Sequence, residues 1–315
     1  MLWIVPSDDY VFLPDKARPV APLVTVQGGK DPAGPAGIYY DAIIVRRAKL
    51  FEQLFPWIHD GATLVPENQI NPPGVSDSQR RVEDLSEMAR SQDIAAAVAL
   101  KYLGYHVKVG STGALVDQTL VGSPAAKAGI QPTDVIVGVN GSPVRTTTDL
   151  RRLLSQHRPG DTVRLTVRNG KELRKVRVKT IADPHDAKRA VIGVLVLQAT
   201  QAKLPIGVNI DAGSIGGPSA GLAFALDVLE ELGHRIDRGY KIAATGELLP
   251  DGTVAPIGGV KQKTLGARKS HVDVFLVPAG DNAAEARRYA DGLRIIPVRT
   301  FQQALRALAT LPRKS

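Results

Sequence analysis

One glycine-rich segment of the sequence reads Gly216-Gly217-Pro218-Ser219-Ala220-Gly221-Leu222, and an apolar stretch follows it. Two glycines and a proline favour a tight turn, and apolar residues then recur at helical spacing from Ala220 to Leu232. This pattern places Ser219 where a strand or loop turns into a helix, close to free backbone N–H groups and the positive end of the helix dipole. Such a position stabilises negative charge, so it suits a serine that attacks a carbonyl group and generates an oxyanion.

A nucleophilic serine also needs a base, because its hydroxyl is a weak nucleophile at its ordinary pKa. The six histidines are scattered along the chain, and none of them lies in a glycine-bounded motif. A lysine is the alternative, since a second glycine pair leads into the run Gly258-Gly259-Val260-Lys261-Gln262-Lys263. An ordinary lysine pKa of about 10.4 would keep Lys263 protonated at neutral pH. Burial beside apolar residues such as Val260 and Leu265 can lower that pKa to about 8, which requires roughly 3 kcal/mol.

Three motifs in this part of the chain resemble those of the proteolytic domain of Lon proteases. They are the serine turn, the lysine turn and, between them, Thr245-Gly246-Glu247. The resemblance covers about residues 188–311 and implies an α+β domain with a Ser–Lys dyad. It implies that Ser219 is the nucleophile, that Lys263 rather than Lys261 is the base, and that Thr245 supports the lysine.

The same resemblance implies that Gly217, Pro218 and Ala220 frame the serine, and that N–H groups at the start of the helix hold the oxyanion. The expected reaction is transfer of the serine proton to neutral lysine, formation of an acyl-enzyme, and its hydrolysis by water. The sequence departs from the Lon pattern at Gly216, where Lon proteases commonly have an acidic residue.

A different pattern of short strands, a turn and one helix runs from about residue 106 to 181. Its segments are Gly122–Ile130, Asp134–Gly141, a helix with Leu150, Leu153 and Leu154, and an alternating strand from Val163 to Val167. The segment resembles a bacterial PDZ domain, which implies that an extended peptide binds beside the helix as an added strand. We expect the peptide site to be formed by a loop at Gly113, Ala114, Leu115 and Val116 together with Leu150 and Leu154.

The sequence therefore predicts an α+β multidomain chain. The expected parts are an N-terminal α/β region at 1–83, a connecting helix at 84–105, a PDZ domain at 106–182 and a Lon-like domain at 187–312. A long helix is predicted from Ser78 to Leu103, with Leu85 among its buried residues. The aromatic cluster from Phe51 to Trp57 is expected to pack in a core. Turn residues predict a tight turn at 31–34 and a linker at 68–78.

Composition narrows the class of protein. The 315 residues carry a formal charge of +9, but the Lys and Arg side chains are spread out without aromatic interleaving, so no nucleic-acid partner is expected. The absence of cysteine excludes disulfides, thiol catalysis and Cys-ligated zinc. We expect no metal and no cofactor. The apolar run at residues 1–6 is far too short to span a membrane. It is either a disordered start or, in the interpretation we carry forward, the outer end of a membrane anchor that is missing from this chain.

A PDZ domain joined to a Lon-like domain, in a sequence without an ATP-binding Gly-x-x-x-x-Gly-Lys-[Ser/Thr] loop, resembles the bacterial membrane-anchored, ATP-independent Lon-like proteases. The resemblance implies a catalytic part on the extracytoplasmic side of the bacterial cell membrane. It also implies unfolded or tail-presented protein substrates and a homo-oligomeric ring, a trimer or a hexamer.

Two other readings remain open. In the first, the Lon-like fold is proteolytically silent and serves as a scaffold for a PDZ binding module. Failure of a serine-directed acylating probe to react would support this alternative. The fold is also related to small-molecule kinases, whose glycine-rich turn binds phosphate. The presence of Lys263 and the lack of a cluster of magnesium ligands argue against a kinase. Thermal stabilisation of the protein by nucleotide would favour one.

Overall fold

The computed structural model describes residues 6–30, 36–70, 77–170, 172–184 and 186–314. The predicted turn at 31–34, residues 71–76 of the predicted linker and the first five residues lie outside the described residues. The chain forms two compact units, one made of the residues up to Val107 and from Leu204 onward, the other of Lys108–Lys203.

This division differs from the predicted one. The N-terminal region at 1–83 and the connecting helix at 84–105 do not form separate parts, because they belong to the same unit as the residues after Leu204. The boundary expected at 182–187 also differs, since the second unit extends to Lys203. The reason is that strands far apart in sequence pair with each other. Residues 37–40 pair with 241–244, and residues 194–203 pair with 108–119.

The N-terminal half of the first unit alternates short strands and helices. The strands are β1 (Pro6–Pro14), β2 (Arg18–Pro19), β3 (Val24–Val26), β4 (Gly37–Tyr40), β5 (Ile43–Lys49) and β6 (Thr63–Val65). The helices are α1 (Leu50–Leu54), α2 (Glu67–Ile70) and the long α3 (Asp77–Tyr102), with 3-10 turns at Ala21–Leu23 and Pro56–Ile58. The long helix was predicted within one residue at each end.

The second unit is a curved antiparallel sheet with two helices. Its strands are β7 (Lys108–Thr119), β8 (Val135–Val139), β9 (Ser142–Pro143), β10 (Thr162–Asn169), β11 (Glu172–Lys179), β12 (Ile181–Asp183), β13 (Asp186–Val191) and β14 (Val194–Lys203). Its helices are α4 (Pro124–Lys127) and α5 (Thr147–Leu154). The main sheet has the order β11-β10-β8-β7-β14, and apolar residues from one face of it pack against Leu150, Leu153 and Leu154.

The C-terminal half of the first unit carries the remaining elements. Its strands are β15 (Val208–Ile210), β16 (Lys241–Ala244), β17 (Glu247–Leu248), β18 (Val254–Ala255), β19 (Val274–Pro278) and β20 (Arg294–Val298). Its helices are α6 (Gly221–Glu231), α7 (Val260–Lys269), α8 (Asp281–Arg288) and α9 (Phe301–Ala309), and a 3-10 turn at Pro218–Ala220 precedes α6.

The two halves of the first unit share one sheet. Its order is β2-β4-β16-β19-β20, in which β4, β16, β19 and β20 run parallel. The whole of α6 is buried, and it packs on this sheet and on α3. An N-terminal strand and the long helix α3 therefore complete the core around the predicted serine turn.

Two expectations about burial are wrong. Trp57 is 75% exposed and Leu54 58% exposed, so the aromatic segment is largely a surface feature, although Phe55 stacks between Phe51 and Trp57. On α3, Leu85 is 37% exposed, whereas Met88 and Val98 are buried as predicted. Apolar spacing identified the helix, but it did not show which of its turns pack against the rest of the protein. Within the described ranges, no helix has the length and apolar character needed to cross a membrane.

Candidate active site

The site lies at the carboxyl ends of two neighbouring parallel strands. Tyr40 on β4 and Ala244 on β16 are register partners, so Asp41 and Thr245, the residues that follow them, lie side by side at the same sheet edge. Both residues are almost fully buried. Two residues that are far apart in the sequence are therefore neighbours in the structure.

Helix α7 brings a lysine to this edge. Gly259 has a left-handed backbone conformation with φ of 70°, and α7 begins at the next residue. Lys263 lies one turn into the helix and is 3% exposed. Lys261 points elsewhere, since its Nζ donates to the carbonyl of Ala62 at 3.1 Å and lies 3.3 Å from Thr63 Oγ1. The helix itself therefore separates the two lysines of the motif.

Three oxygen atoms surround the amino group of Lys263. Its Nζ lies 2.8 Å from Ser219 Oγ, 3.2 Å from Thr245 Oγ1 and 3.0 Å from the carbonyl oxygen of Asp41. The hydroxyl of Thr245 donates to the carbonyl oxygen of Ser219 at 3.2 Å, so its oxygen must accept from the lysine. The structure thus brings Ser219, Lys263 and Thr245, three of the predicted site residues, within hydrogen-bond distance of one another.

A protonated lysine can satisfy these three contacts with its three N–H donors, and a neutral amine can satisfy them as well. A neutral lysine has two N–H donors and one lone pair. The carbonyl of Asp41 can only accept, and Thr245 Oγ1 accepts as well, so these two oxygens take both donors. The lone pair remains for the hydroxyl proton of Ser219, which is the geometry required of a general base.

Burial also favours the neutral form of the lysine. It lowers the pKa of Lys263 to about 8, because the charged ammonium loses its hydration, while the nearby carboxylate of Asp41 acts in the opposite direction. Burial raises the pKa of Asp41 to about 7, and the charge of Lys263 opposes that shift. Roughly a tenth of the lysine is therefore neutral at pH 7, far more than for an ordinary lysine with a pKa of about 10.4.

The backbone of the serine turn is held from two sides. From α3, Ser91 Oγ donates to the carbonyl of Pro218 at 3.0 Å, and the carbonyl of Asp84 accepts from the N–H of Gly217 at 2.8 Å. From the end of β16, the N–H of Gly246 donates to the carbonyl of Ser219 at 2.8 Å. The position of the hydroxyl is thus fixed before any substrate binds.

These bonds narrow the choice of oxyanion donors. The N–H groups of Gly217, Gly221 and Leu222 donate to carbonyl groups of the protein, and Pro218 has no N–H. Within this turn, the N–H groups of Ser219 and Ala220 remain as candidate donors to an oxyanion. Ser219 lies in the 3-10 turn Pro218–Ala220, directly before α6, and the helix expected from Ala220 begins at Gly221.

The structure explains the departure at Gly216. A methyl group built on this glycine would lie 2.7 Å from Cβ of Asp84, so α3 occupies the space that a side chain would need. An acidic residue at position 216 is therefore incompatible with the close approach of α3.

The predicted peptide site in the second unit has a different arrangement. Residues Gly113–Val116 do not form a loop, because they lie inside β7, which pairs with β8 on one side and with β14 on the other. Their backbone groups are therefore already in the sheet, and the described end of this sheet is β14. Leu150 and Leu154 on α5 are 2% and 8% exposed and belong to the core of the unit.

Sequence reasoning missed the residues that the N-terminal region contributes. Asp41, Asp84 and Ser91 all contact the lysine or the serine turn. One signal was present for Asp41, since a charged residue interrupts the apolar run from Ile38 to Val45. No local pattern distinguishes Asp84 or Ser91 from other polar residues of a long helix.

Comparison with known proteins agrees with both units. Residues 101–180 match the PDZ domain family, and residues 188–310 match the Lon protease (S16) C-terminal proteolytic domain. Lon protease 2 of Bacillus subtilis is 33% identical over 148 residues, which is 45% of this chain and 26% of the relative. A Lon protease of Mesomycoplasma hyopneumoniae is 35% identical over 31% of this chain and 12% of its own length.

Lon protease 1 of Sorangium cellulosum is 38% identical over 31% of this chain and 13% of its own length. The chain thus spans about a quarter or less of the curated relatives it matches. Both domain matches lie in the order that the sequence motifs predicted, and the fold is α+β and multidomain. The chain carries a PDZ domain followed by the C-terminal proteolytic domain of the Lon (S16) family.

Proposed function

We propose that this chain is a serine endopeptidase that uses a Ser–Lys dyad and cleaves unfolded or tail-presented protein segments without ATP. The observation that carries this proposal is the position of Lys263 Nζ, which lies 2.8 Å from Ser219 Oγ and donates to Asp41 O and Thr245 Oγ1. The Lon-type proteolytic domain supports the same class of reaction.

The proposed reaction starts when neutral Lys263 takes the hydroxyl proton of Ser219. The serine oxygen then bonds to the substrate carbonyl carbon, and the carbonyl oxygen becomes an oxyanion facing the N–H groups of Ser219 and Ala220. The lysine returns its proton to the leaving amine, which leaves an acyl-enzyme. Neutral Lys263 then takes a proton from water as the water oxygen bonds to the ester carbon. The bond from that carbon to Ser219 Oγ breaks, the lysine returns the proton to Ser219 Oγ, and the acid product leaves.

Cleavage of casein in the absence of ATP tests this proposal. We expect the wild type to cleave, Ser219→Ala and Lys263→Ala to lose activity, and Lys261→Ala to retain it. Lys261 is the matched control because it lies on the same helix and bonds to Ala62 O, away from the serine. Full activity in Ser219→Ala would contradict the proposal. Absence of cleavage and of probe labelling in every variant would favour the scaffold reading.

We propose a peptide-binding role for the second unit, at an edge other than the predicted one. Because β7 is paired on both sides, an added strand would pair with one of the two end strands of the sheet, β11 or β14, and we place it on β14, which lies beside α5. The start of α5 lies beside this strand, since the N–H of Thr147 donates to Gln198 Oε1 at 3.2 Å. Amide hydrogen exchange with a bound C-terminal peptide should show protection at 194–203, whereas new protection at 113–116 alone would contradict this placement.

Membrane location and ring formation remain predictions drawn from the resemblance. Fractionation of cells that produce the complete natural protein tests the first, with the extracytoplasmic side of the bacterial cell membrane as the expected location. The molar mass in solution tests the second, with a trimer or a hexamer expected and a monomer at all concentrations contradicting it.

A further inference from the structure

The buried carboxylate of Asp41 has no role in the reaction as described so far. Asp41 is 3% exposed, and neither of its carboxylate oxygens accepts a hydrogen bond from the described residues. A buried ionised carboxylate without hydrogen bonds is expensive unless a positive charge balances it. The residue therefore needs an explanation that packing alone does not supply.

The position of Asp41 ties it to Lys263. Its own carbonyl oxygen accepts a hydrogen bond of 3.0 Å from Lys263 Nζ. Its carboxylate lies along α7 on the lysine side, since a methyl group built on Gly266 would be 3.8 Å from Asp41 Oδ1. The same methyl group would be 2.0 Å from the carbonyl oxygen of Asp15. The backbone of Asp15 can therefore approach α7 this closely only because residue 266 is glycine.

The other charged groups near this point are occupied elsewhere. Asp15 forms an ion pair of 3.1 Å with Arg18, which also lies next to the Tyr40 hydroxyl. Lys261 bonds to the segment before β6. Among the described residues, the charge of Lys263 lowers the pKa of Asp41, and the charge of Asp41 raises the pKa of Lys263.

We propose that Asp41 is a positioning residue for the base, whose carboxylate balances the charge that Lys263 gains when it takes the Ser219 proton. The inference rests on the proposed function and goes beyond it. In the neutral form of the lysine, its two donors are held by the carbonyl of Asp41 and by Thr245. When the ammonium forms in this water-poor pocket, the carboxylate of Asp41 is the counter-charge, so the lysine is a stronger base than burial alone would leave it.

The test is the pH dependence of Ser219 acylation by a serine-directed fluorophosphonate probe. Asp41→Asn keeps the backbone carbonyl and the side-chain size but removes the charge. We expect the acid limb of its pH–rate profile to move to lower pH by about one unit, and the plateau rate to fall roughly three- to tenfold, because the lysine becomes a weaker base. Asp41→Glu keeps the charge and should keep the wild-type limb.

Glu230→Gln is the matched control, because Glu230 is also a buried acid of the same unit but lies at the far end of α6. It should leave both the limb and the plateau unchanged. Thermal melting checks that each variant is folded. If Asp41→Asn does not fold, the smaller neutral variant Asp41→Ser should show the same shift of the limb.

The outcomes separate the two proposals. A wild-type limb in Asp41→Asn, or a lower plateau without a shift of the limb, would overturn the role of Asp41 and leave the dyad intact. A shifted limb in Asp41→Glu equal to that of Asp41→Asn would also overturn it, since charge would not be the cause. Labelling of Ser219→Ala at the wild-type rate would instead refute the proposed function itself.

Discussion

Lys263 donates a hydrogen bond of 3.0 Å to the carbonyl oxygen of Asp41, a residue 222 positions earlier in the chain. The contact exists because β4 joins the same parallel sheet as β16 and ends at the same edge. The match to the Lon-type domain begins at residue 188, so the candidate active site depends on a strand outside the matched region. The hydrogen-bond partners Asp41, Ser219 and Thr245 all belong to the first unit.

Removal of the second unit should leave the first one folded. Lys108 and Lys203 are register partners at the start of β7 and the end of β14, so the two connections to the first unit leave from adjacent points. Paired strand residues lie only about 5 Å apart, a gap that a linker of two to four Gly and Ser residues can bridge. We expect the shortened chain to keep a cooperative melting transition and to retain labelling of Ser219 by the probe.

The control for this excision is the same chain with Ser219→Ala, which should not be labelled. Loss of the folded state on excision would show that the first unit requires the second for stability.

Replacement of Thr245 by Val should slow the reaction more than it destabilises the protein. Thr245 Oγ1 accepts from Lys263 Nζ and donates to the carbonyl of Ser219, so it orients both members of the dyad. Valine has the same shape without the hydroxyl, and we expect a loss of roughly 10- to 100-fold in the acylation rate, as for a misplaced general base.

Thr245→Ser keeps the hydroxyl and should retain most of the activity. Equal rates for the valine variant and the wild type would exclude a positioning role for this side chain. The measurement is the acylation rate together with the melting temperature of each variant.

The activity of the wild type should rise with pH through the titration of its lysine. Burial lowers the pKa of Lys263 to about 8, and only the neutral form can take the serine proton. Below that pKa the neutral fraction increases about tenfold for each pH unit, and it levels off above it. A rate profile measured between pH 5.5 and pH 10, at the temperature of the melting controls, would be inconsistent with a lysine base if it were flat below about pH 7.

Gly216→Ala should destabilise the first unit by about 1–3 kcal/mol, the usual cost of overpacking. The added methyl group would lie 2.7 Å from Cβ of Asp84, which cannot move without shifting α3. Gly258→Ala is the control, since a methyl group there meets no atom within 4 Å. Urea unfolding measures both, and equal stabilities for the two variants would mean that α3 yields at this contact.

Glu230 should make the stability of the protein depend on pH. Burial raises the pKa of its carboxyl to about 7, above the value of 4.5 expected in an unfolded chain. The folded state therefore binds more protons between about pH 4.5 and pH 7, so the contribution of this group is fully present below pH 4.5 and is lost as the pH rises through 7.

Glu230→Gln removes that titration, so the difference in unfolding free energy between variant and wild type should change steadily across this window and be constant outside it. Urea titrations at four or five pH values provide the measurement. A constant difference from pH 4 to pH 8 would show that the pKa of Glu230 is not raised.

The sequence by itself determined the local features of this protein. Glycine pairs and helical spacing placed Ser219 in the turn before a helix and identified the turn that leads into Lys263, because turn geometry and amphipathic spacing are properties of a few consecutive residues. The second unit was recognisable for the same reason, since its strands and its turns follow one another at short range. Motif spacing also distinguished Lys263 from Lys261 through the resemblance, although not through a physical argument.

Only the tertiary structure decided what surrounds these residues. Asp41, Asp84 and Ser91 reach the site through strand order and helix packing, which depend on residues far apart in sequence and on the total free energy of burial. For the same reason the aromatic residues near Trp57, apolar enough for a core, lie on the surface, and Gly113–Val116 lie inside a sheet instead of a loop. Residue types and their spacing specify which chemistry a chain can carry, but the desolvation that lowers the pKa of Lys263 is a property of the folded core.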